Sequence, residues 1–235
     1  MTSTRGIFVT GTDTGVGKTL VAAGLVRILA GRGHRVVGLK PVASGAGSHG
    51  SGLRNADALA LAAESSVELP YELTNPYCFG PAVAPHVAAA EAGVRLALDD
   101  LVDWYGRATA GAEFAVVEGA GGWRVPLHPD GFLSDLPERL GLGVVLVVGL
   151  RLGCLNHARL TLEAISNGGR CPFAGWVGSG VDAGFERLDA NLATLERLLG
   201  VPPLAIIPPL AEPTTNSAAM YLSGARLFGE PGPWP

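Results

Sequence analysis

Charge is scarce in this sequence, and clusters of basic residues are missing. Charged residues make up 16% of the 235 positions, the formal net charge is −4, and no Lys/Arg-rich run occurs. Proteins that bind a nucleic acid duplex normally carry a basic stripe. We therefore expect no nucleic-acid partner.

Cysteine is also rare, and long hydrophobic runs are missing. Cys78, Cys154 and Cys171 are widely spaced and form no C-x-x-C pair, which is typical of a reducing compartment rather than of a disulfide framework. The longest apolar run, Leu142–Leu150, is too short to span a bilayer. The N-terminus lacks the cationic start and apolar core of a secretory signal. These absences predict a soluble, cytoplasmic protein without a membrane partner.

Apolar residues are abundant, at 48% of the chain, and lie in short β-branched segments that alternate with helical patterns. Several segments are apolar throughout, as parallel strands covered on both faces are. The alternation predicts an α/β fold with a mostly parallel central sheet and helices on both faces. We expect a single domain over residues 1–235, with a frayed tail at Gly229–Pro235.

The pattern gives bounds for the main elements. The predicted strands are Gly6–Thr10, Val36–Lys40, Phe114–Glu118, Val144–Val148, Gly175–Gly178 and Leu204–Ile207. The predicted helices are Lys18–Gly31, Asn55–Glu64, Leu98–Ala110, Asn156–Ser166 and Phe185–Leu199. Asn55 and Asn156 are expected to cap the N-termini of their helices, and Gly31 and Gly200 to end theirs.

The first predicted strand leads into the glycine-rich segment Gly11–Thr19, and a helical pattern follows at once. Glycines let backbone N–H groups approach phosphate oxygens, and the helix N-terminus adds partial positive charge. Lys18 supplies a full charge to the β- and γ-phosphates, and the Thr19 hydroxyl can ligate Mg²⁺. Thr12 stands where the usual pattern G-x-x-x-x-G-K-[ST] has its first glycine. The context still predicts binding of a magnesium–nucleoside triphosphate.

Lys40 ends the second predicted strand and is followed by the loop that holds Ser44. A lysine there is either a solvated strand end or a cation facing the same crevice as the phosphate loop, and the residues alone leave both open. Ser44 is a candidate hydrogen-bond donor to a substrate.

Two carboxylates follow other elements. Glu118 ends an apolar strand and opens a glycine run, which is typical of a carboxylate that holds magnesium beside a phosphate loop. Asp57 lies in the first turn of a helix, where its ordinary role is favourable charge at the helix N-terminus. Mg²⁺ keeps several waters, so Thr19 with one or two carboxylates suffices to bind it.

Seven segments of the chain together resemble the dethiobiotin synthetase family and occur in that family's order. They are Gly11–Thr19, Lys40–Gly45, Leu53–Leu59, Asn75–Tyr77, Pro85–His86, Val117–Trp123 and Leu152–His157. The resemblance implies a P-loop NTPase fold. It also implies a ligase of biotin biosynthesis that converts diaminopelargonate (7,8-diaminononanoate), CO₂ and ATP to dethiobiotin, ADP and phosphate.

In that family a substrate amine first becomes a carbamate, which attacks the γ-phosphate. The second amine then closes the carbamic–phosphoric anhydride to a cyclic urea. A carbamate and a triphosphate are both anionic, so their approach needs concentrated positive charge. The resemblance implies that Lys18 and Lys40 are catalytic and that Mg²⁺ adds to their charge.

The resemblance also implies the remaining site residues. Magnesium would be held by Thr19, Asp57 and Glu118. Substrate would contact Lys40, Ser44 and, from the neighbouring subunit of a homodimer, Gly153, Cys154, Leu155 and Asn156. Nucleotide would contact Thr14, Gly15, Val16, Gly17, Lys18, Thr19, Leu20, Glu118, Gly119, Ala120, Gly121, Ser179, Pro208, Pro209 and Leu210.

Several of these residues also have ordinary interpretations. Cys154 can be a small core residue and Asn156 only an N-cap. A thiol at the start of a helix is expected to be somewhat activated, although we assign Cys154 no chemistry. Structural roles are expected for His86, His128, His157, Trp123 and Trp176, since the histidines match no zinc spacing.

The chain departs from the family where adenine is read. Many members carry an Asn-Asp pair after Gly-Trp-Val, whereas here Trp176-Val177 is followed by Gly178-Ser179-Gly180. We hypothesise a relaxed nucleotide preference, because losing a base contact reduces discrimination more than phosphate affinity. Pro208-Pro209-Leu210 is expected to form a wall of the base pocket.

Two alternatives share the phosphate loop. A partitioning-type switch ATPase usually carries a further lysine early in the loop, where this chain has Thr12-Asp13-Thr14, and often a basic or amphipathic surface element. A non-catalytic nucleotide-binding module would not need Lys40, Asp57 and Glu118 beside the loop.

Overall fold

The apolar segments form a six-stranded sheet in which each neighbouring pair of strands is parallel. The computed structural model describes residues 4–50, 52–128, 131–168 and 171–224. The strands are β1 (Arg5–Gly11), β2 (Val36–Leu39), β3 (Val42–Ala43), β4 (Gly47–His49), β5 (Gly52–Arg54), β6 (Tyr77–Cys78), β7 (Phe114–Glu118), β8 (Pro126–His128), β9 (Gly131–Phe132), β10 (Gly143–Gly149), β11 (Phe173–Ser179) and β12 (Ala205–Ile207). The helices are α1 (Lys18–Gly31), α2 (Ala56–Glu64), α3 (Tyr71–Thr74), α4 (Pro85–Glu91), α5 (Leu98–Ala108), α6 (Asp135–Leu140), α7 (Cys154–Gly168), α8 (Leu188–Leu199) and α9 (Thr215–Leu222).

Helices cover both faces of the sheet because its strands carry apolar side chains on both sides. In β1, Ile7 and Val9 pack with α1 and α9 on one face, whereas Phe8 packs with α5 on the other. A third apolar cluster joins β10 and β11 to α7 and α8. The strand order is β12-β11-β10-β1-β7-β2, so β1 and the loop after it lie near the middle. All six carboxyl ends meet at one edge, where ligands bind in folds of this kind.

The predicted α/β class and the six predicted strands are confirmed, with ends that differ by at most two residues. Helix α1 ends at Gly31, and Gly200 ends α8 with a left-handed φ of 74°. The Asn55 side chain accepts hydrogen bonds from the backbone N–H groups of Asp57 and Ala58, at 3.0 and 3.3 Å. The predicted cap of α2 is therefore confirmed.

Four helix boundaries differ from the prediction by two residues or more, and one of them is the end of α7 at Gly168 rather than at Ser166. Asn156 does not cap α7, because Gly153 with a φ of 96° turns the chain earlier and the helix begins at Cys154. Helix α8 begins at Leu188 rather than at Phe185, since Arg187 just before it has a φ of 56° that a helix interior does not allow. Helix α5 ends two residues before its predicted end. The predicted frayed tail lies outside the described residues.

The sequence patterns did not predict α3, α4, α6 or α9, nor the small sheets β3–β6, β4–β5 and β8–β9. Helices α3 and α6 have only 4 and 6 residues, too few for apolar residues to recur with the helical period. Helix α9 begins with a capping box between Thr214 and Ser217, in which serine replaces the usual Glu or Gln. Within the described ranges, no helix combines the length and apolar character that crossing a membrane requires.

Helix α2 packs directly onto Gly38 of β2. A Cβ atom at position 38 would lie 2.9 Å from Leu61 Cβ and 3.0 Å from the Leu61 carbonyl oxygen, so the helix backbone would have to move. We expect Gly38→Ala to lower the free energy of unfolding by about 1–3 kcal/mol. Urea unfolding monitored by circular dichroism measures this change.

Gly31→Ala is the matched control. A Cβ atom at position 31 meets no atom within 4 Å, and alanine favours a helix over glycine. Its stability should equal or slightly exceed that of the parent. Equal stability of Gly38→Ala and the parent would contradict the direct packing of α2 on this glycine.

Candidate active site

A cavity of about 1140 Å³ lies at the carboxyl ends of the central strands. It is lined by the phosphate loop, by the start of α2 and by the segments that follow β2, β7, β11 and β12. A pocket for one small molecule usually measures roughly 300–1,000 Å³. The cavity therefore has room for a nucleotide and a second small ligand.

The phosphate loop has its shape because glycine occupies two strained positions. Gly15 and Gly17 have left-handed φ angles of 73° and 89°. A Cβ atom on Gly17 would also lie 2.7 Å from Ser179 Oγ, so conformation and space both require glycine there. The Thr12 N–H donates to the Val147 carbonyl at 3.0 Å and ties the loop to β10. The N-terminus of α1 therefore faces the cavity, as an anion site requires.

The Lys18 ammonium folds back onto its own loop. Its Nζ donates to the Asp13 carbonyl at 2.8 Å, and the residue is 7% exposed. Burial lowers the pKa of Lys18 to about 8, and the nearby Lys40 cation acts in the same direction. Glu118 and Asp57 oppose the shift only in part. Among the described residues Lys18 forms no ion pair, so an anion in the cavity can become its partner.

The Lys40 ammonium joins the two predicted carboxylates. Its Nζ lies 2.8 Å from Asp57 Oδ2 and 2.8 Å from Glu118 Oε1, and it donates to the Gly119 carbonyl at 3.1 Å. The side chains of Lys40 and Glu118 are 4% and 1% exposed, and that of Asp57 is 39% exposed. The interpretation of Lys40 as a solvated strand end is therefore wrong. The cluster is closed on the Glu118 side and open to the cavity on the Asp57 side.

Burial and mutual attraction oppose each other in this cluster. Burial alone would lower the pKa of Lys40, but Glu118 and Asp57 hold it above its ordinary value. Burial alone would raise the pKa of Asp57, but Lys40 and the hydrogen bonds from Lys40 and Thr19 keep it below its ordinary value. Burial raises the pKa of Glu118, and Asp57 reinforces this rise against the pull of Lys40. Lys40 therefore stays cationic at neutral pH.

The oxygens beside Lys18 fit a magnesium ion. Thr19 Oγ1 donates to Glu118 Oε1 at 2.8 Å. The other oxygen, Glu118 Oε2, is buried and has no hydrogen-bond partner among the described residues. Hydroxyl and carboxylate oxygens are the donors that Mg²⁺ prefers. The described residues gather no group of three or more His, Cys, Asp and Glu side chains, but Mg²⁺ keeps waters and needs few protein ligands.

The structure brings most of the predicted site residues to this cavity. Those that line it are Thr14, Gly15, Gly17, Lys18, Thr19, Leu20, Lys40, Ser44, Asp57, Glu118, Ala120, Gly121, Ser179, Pro208 and Leu210. Val16 instead is fully buried in the core, and Gly119 gives its carbonyl to Lys40. Pro209 lies behind the cavity against Gly180, where a Cβ atom would be 2.5 Å from the Pro209 nitrogen.

The predicted substrate segment at the start of α7 lies apart from the cavity of its own chain. Among the described residues that line the cavity, Gly153, Cys154, Leu155 and Asn156 do not occur. Cys154 is 2% exposed and packs with β10 and β11. Burial raises the pKa of its thiol despite the backbone N–H groups at the helix start. The expected activation of this thiol is therefore wrong.

Structural rather than functional roles were also expected for two tryptophans and three histidines. Trp123 and Trp176 are 4% and 0% exposed, and Trp176 Nε1 donates to the Val201 carbonyl at 2.9 Å. The packing roles of both tryptophans are confirmed. His86, His128 and His157 are not among the described residues that line the cavity.

Sequence reasoning missed one side of the cavity and one cation at its edge. The missed wall is apolar and consists of Ala43, Ala60, Ala82, Val83, Ala84, Pro85 and Val125. Most of these residues lie in loops or in very short elements, where small apolar side chains carry no periodic signal. Arg151 also went unnoticed, although it pairs with Asp13 of the phosphate loop at 2.5 Å. Its place two residues after β10, which pairs with β1 and so ends beside the phosphate loop, was the available signal.

Comparison with known proteins assigns the family. A family model described as "AAA domain" matches residues 5–217. The ATP-dependent dethiobiotin synthetase BioD of Chromohalobacter salexigens is 52% identical over 229 residues, which cover 92% of this chain and 96% of that protein. The chain belongs to the dethiobiotin synthetase family. A second member, BioD of Cellvibrio japonicus, is 46% identical over 226 residues, or 96% of this chain and 99% of that protein.

Solved structures agree with the predicted P-loop NTPase fold. The MinC:MinD cell division protein complex of Aquifex aeolicus contains a chain that matches with a TM-score of 0.61 at 15% identity and covers 98% of each chain. At this identity the likeness shows the fold alone. The fold class predicted for this dethiobiotin synthetase family member is confirmed.

Lys18 gives the phosphate loop a pH-dependent affinity. A bound phosphate favours the charged lysine, whereas the free protein loses this charge as the pH rises through about 8. We expect the Kd for ADP to rise by up to about tenfold per pH unit above pH 8, with proton uptake on binding. Calorimetric titration in two buffers of different ionisation enthalpy measures both effects.

The lowered pKa of Lys18 changes the free energy of unfolding in the opposite direction: stability should rise with pH where nucleotide affinity falls. Above about pH 8 the native state releases the Lys18 proton, while the unfolded chain retains it up to the ordinary lysine pKa of 10.5. The cost of burying this cation therefore falls as the pH rises through that window. Lys18→Arg is the control, since its guanidinium does not titrate there. If the free energy of unfolding of Lys18→Arg still rose with pH in this window, the pH dependence would belong to another group.

Proposed function

We propose that this protein is an ATP- and magnesium-dependent cyclo-ligase that converts diaminopelargonate and CO₂ to dethiobiotin in biotin biosynthesis. The observation that carries the proposal is the buried cluster of Lys40, Asp57 and Glu118 beside a phosphate loop, in a chain 52% identical to a curated dethiobiotin synthetase. The proposed reaction brings two anionic reactants together, and a fixed cation in such a cluster supports their approach.

The reaction proceeds in three balanced steps. One substrate amine adds to CO₂ and loses a proton, which gives a carbamate. A carbamate oxygen then attacks the γ-phosphorus, and ADP leaves with the electrons of the broken P–O bond. Finally the second amine attacks the carbamoyl carbon, inorganic phosphate leaves, and the nitrogen loses a proton. The products are the cyclic urea, ADP and phosphate.

The residues of the chain act in this scheme by position and charge. Lys18 leaves the Asp13 carbonyl and neutralises the β- and γ-phosphates. Lys40 faces the carbamate and the phosphoryl group in transfer, and Ser44 donates to the diamine end. Thr19, Asp57 and Glu118 would hold a magnesium ion, which would further neutralise phosphate charge.

The apolar wall of the cavity suits the alkyl chain of the substrate. Ala43, Ala60, Val83, Pro85 and Val125 line the cavity together with the residues near Lys40. An aliphatic chain between two polar ends gains affinity from contact with such side chains. A substrate with only phosphate and hydroxyl groups would leave this wall without a partner.

We further propose a cytoplasmic homodimer in which α7 of one subunit completes the site of the other. The start of α7 lies apart from the cavity of its own chain, and Leu152 before it is 93% exposed. The free N–H groups at this helix start would bind the remote carboxylate of the substrate. The three cysteines are unpaired, which supports a reducing compartment.

The alternative of a partitioning-type switch ATPase shares the fold but lacks a supporting observation. The chain in the Aquifex aeolicus MinC:MinD complex is only 15% identical to this one. In this chain Asp13 occupies the loop region where such switches usually carry a lysine, and it pairs with Arg151. A non-catalytic module would not explain the buried Lys40 cluster.

The deciding experiment measures ADP release by the purified protein with MgATP and bicarbonate, with and without diaminopelargonate. We expect ADP release that depends on the diamine and matches the dethiobiotin formed. ADP release independent of the diamine, or no turnover, would refute the proposed reaction.

Lys40→Ala should abolish most turnover while nucleotide binding persists. The variant removes the cation that faces the reacting groups, and we expect kcat to fall about 100-fold or more. The phosphate loop is unchanged, so the Kd for ADP should stay within about threefold of the parent. Steady-state kinetics and calorimetry provide the two measurements.

The controls separate charge from folding. Lys40→Gln keeps hydrogen-bond donors near Glu118 and should lose turnover as Lys40→Ala does. Arg27→Ala removes an exposed cation whose partner is Glu64 and should keep turnover. If both Lys40 variants turned over at the rate of the parent, Lys40 would not be part of the catalytic site.

We expect weak selectivity among nucleotide bases from the residues at the end of the cavity near β11 and β12, where the base would lie. Ser179, Val181, Pro208, Leu210 and Thr215 line it, and none of these side chains is an amide or a carboxylate. Hydroxyl groups pair with several base edges. We expect kcat/KM values for ATP, CTP and GTP to lie within about tenfold of one another.

Ser179→Asn tests the cause of this weak selectivity. It adds an amide at the end of β11, and we expect the preference for ATP to increase. Gly180 offers no similar route, because a Cβ atom there would lie 2.5 Å from the Pro209 nitrogen. Preference for ATP above roughly 100-fold in the parent would contradict the hypothesis.

A further inference from the structure

We infer that the Tyr71 hydroxyl is a positioning group for the Lys40–Asp57–Glu118 cluster, because it connects the backbone of Lys40 to the helix start that carries Asp57. The inference deepens the proposed function and rests on it only for the chemistry of the cluster. The contacts that carry it are hydrogen bonds of buried or half-buried groups, which join Tyr71 and Asn75 to the backbone of Asn55 and Lys40.

The first part of the connection holds the backbone of Lys40. This residue follows β2, which is an edge strand of the central sheet. Its N–H donates to the Thr74 carbonyl at 2.8 Å, and its carbonyl accepts from Asn75 Nδ2 at 2.7 Å. Asn75 is 2% exposed. The Thr74–Asn75 segment therefore fixes the point from which the Lys40 side chain extends.

The second part holds Asp57. The Asn55 side chain accepts from the Asp57 N–H at 3.0 Å and so sets the first turn of α2. The same side chain donates through Nδ2 to the Ser44 carbonyl at 3.4 Å. Asn55 is 7% exposed. One buried amide therefore positions a predicted metal ligand and a predicted substrate contact together.

The Tyr71 hydroxyl joins these two parts. It accepts from the Asn55 N–H at 2.7 Å and donates to Asn75 Oδ1 at 3.1 Å. The guanidinium of Arg54 lies 4.1 Å above the tyrosine ring, which holds the ring independently of its hydroxyl. A continuous hydrogen-bonded path thus runs through the hydroxyl from the start of α2 to the Lys40 carbonyl.

Loss of the hydroxyl would remove the hydrogen-bond partner of the Asn55 N–H and of Asn75 Oδ1, together with a contact at 3.6 Å to Cys78 Sγ. The Asn55 N–H and the Asn75 side-chain oxygen would then re-pair by small movements, since unsatisfied buried groups are costly. Lys40 Nζ lies 2.8 Å from both carboxylates, so movement at either end stretches these contacts. A displacement of about 1 Å in a catalytic cluster can cost roughly 100-fold in rate.

The test uses Tyr71→Phe, which removes the hydroxyl and keeps the ring beneath Arg54. Binding of a non-hydrolysable ATP analogue is measured by calorimetry with and without MgCl₂. We expect the gain in affinity that magnesium provides to fall about tenfold. The affinity without magnesium, which reports the phosphate loop, should stay within about twofold of the parent. In the diamine-dependent assay, kcat should fall about tenfold or more while KM for ATP changes less.

Tyr105→Phe is the matched control. The Tyr105 hydroxyl is buried, and within the described part of the chain it has no hydrogen-bond partner, so its removal should leave both affinities unchanged. Asn75→Asp is the second variant, since a carboxylate cannot donate to the Lys40 carbonyl. In Asn75→Asp, as in Tyr71→Phe, the gain in affinity that magnesium provides should fall while the affinity without magnesium is kept. Thermal denaturation establishes that each variant is folded.

The inference is wrong if Tyr71→Phe keeps the full magnesium effect, or if it loses the same affinity with and without magnesium. It is equally wrong if Tyr105→Phe matches the loss. The binding measurement needs no turnover. Failure of the parent to form dethiobiotin would therefore refute the proposed reaction and leave this test intact.

Discussion

The structure depends on a cation that is almost completely removed from water. Lys40 could not remain charged at 4% exposure without the two carboxylates that lie 2.8 Å from it, because desolvation of a lone ammonium is costly. Glu118, at 1% exposure, has the same need for Lys40. Residues after β2, at the start of α2 and at the end of β7 are therefore held together by charge as well as by packing. The Asp57 side of this arrangement faces the cavity, where anionic ligands would meet it.

The fold contributes the meeting point, and the residues contribute the chemistry. Parallel strands end at one edge, so residues from β1, β2 and β7 approach one another there. The MinC:MinD complex of Aquifex aeolicus contains a chain with the same fold at 15% identity, and a fold alone does not define an activity. In this chain a buried cluster of Lys40, Asp57 and Glu118 lies beside the phosphate loop. The proposed activity therefore rests on the family assignment and on this cluster, not on the fold.

Much of the fold and the phosphate loop could be predicted because their signals are local, whereas the roles of Lys40 and Asp57 in the site were implied only by the family resemblance. The apolar strands, the glycine loop and the positions of Lys40 and Glu118 at strand ends are all visible in short segments. The contacts from Tyr71 to Asn55 and from Asn75 to Lys40 arise from tertiary packing, and no local sequence pattern predicts them. The start of α7 was misjudged for a related reason, since Gly153 rather than Asn156 sets where the helix begins.

The two ends of the cavity differ in how much of their hydrogen bonding is left for a ligand. At the phosphate end, Lys18 is held only by a loop carbonyl, and Glu118 Oε2 is buried without a partner in the described structure. At the base end, the Gly180 N–H already donates to the Ile207 carbonyl at 2.8 Å, and the Ser179 carbonyl accepts from Leu150 at 2.7 Å. A nucleotide would therefore gain its charge-assisted bonds through its phosphates, while its base would gain mainly contact area. In the proposed function, this asymmetry would make phosphate number and charge, rather than base identity, the main determinant of nucleotide binding.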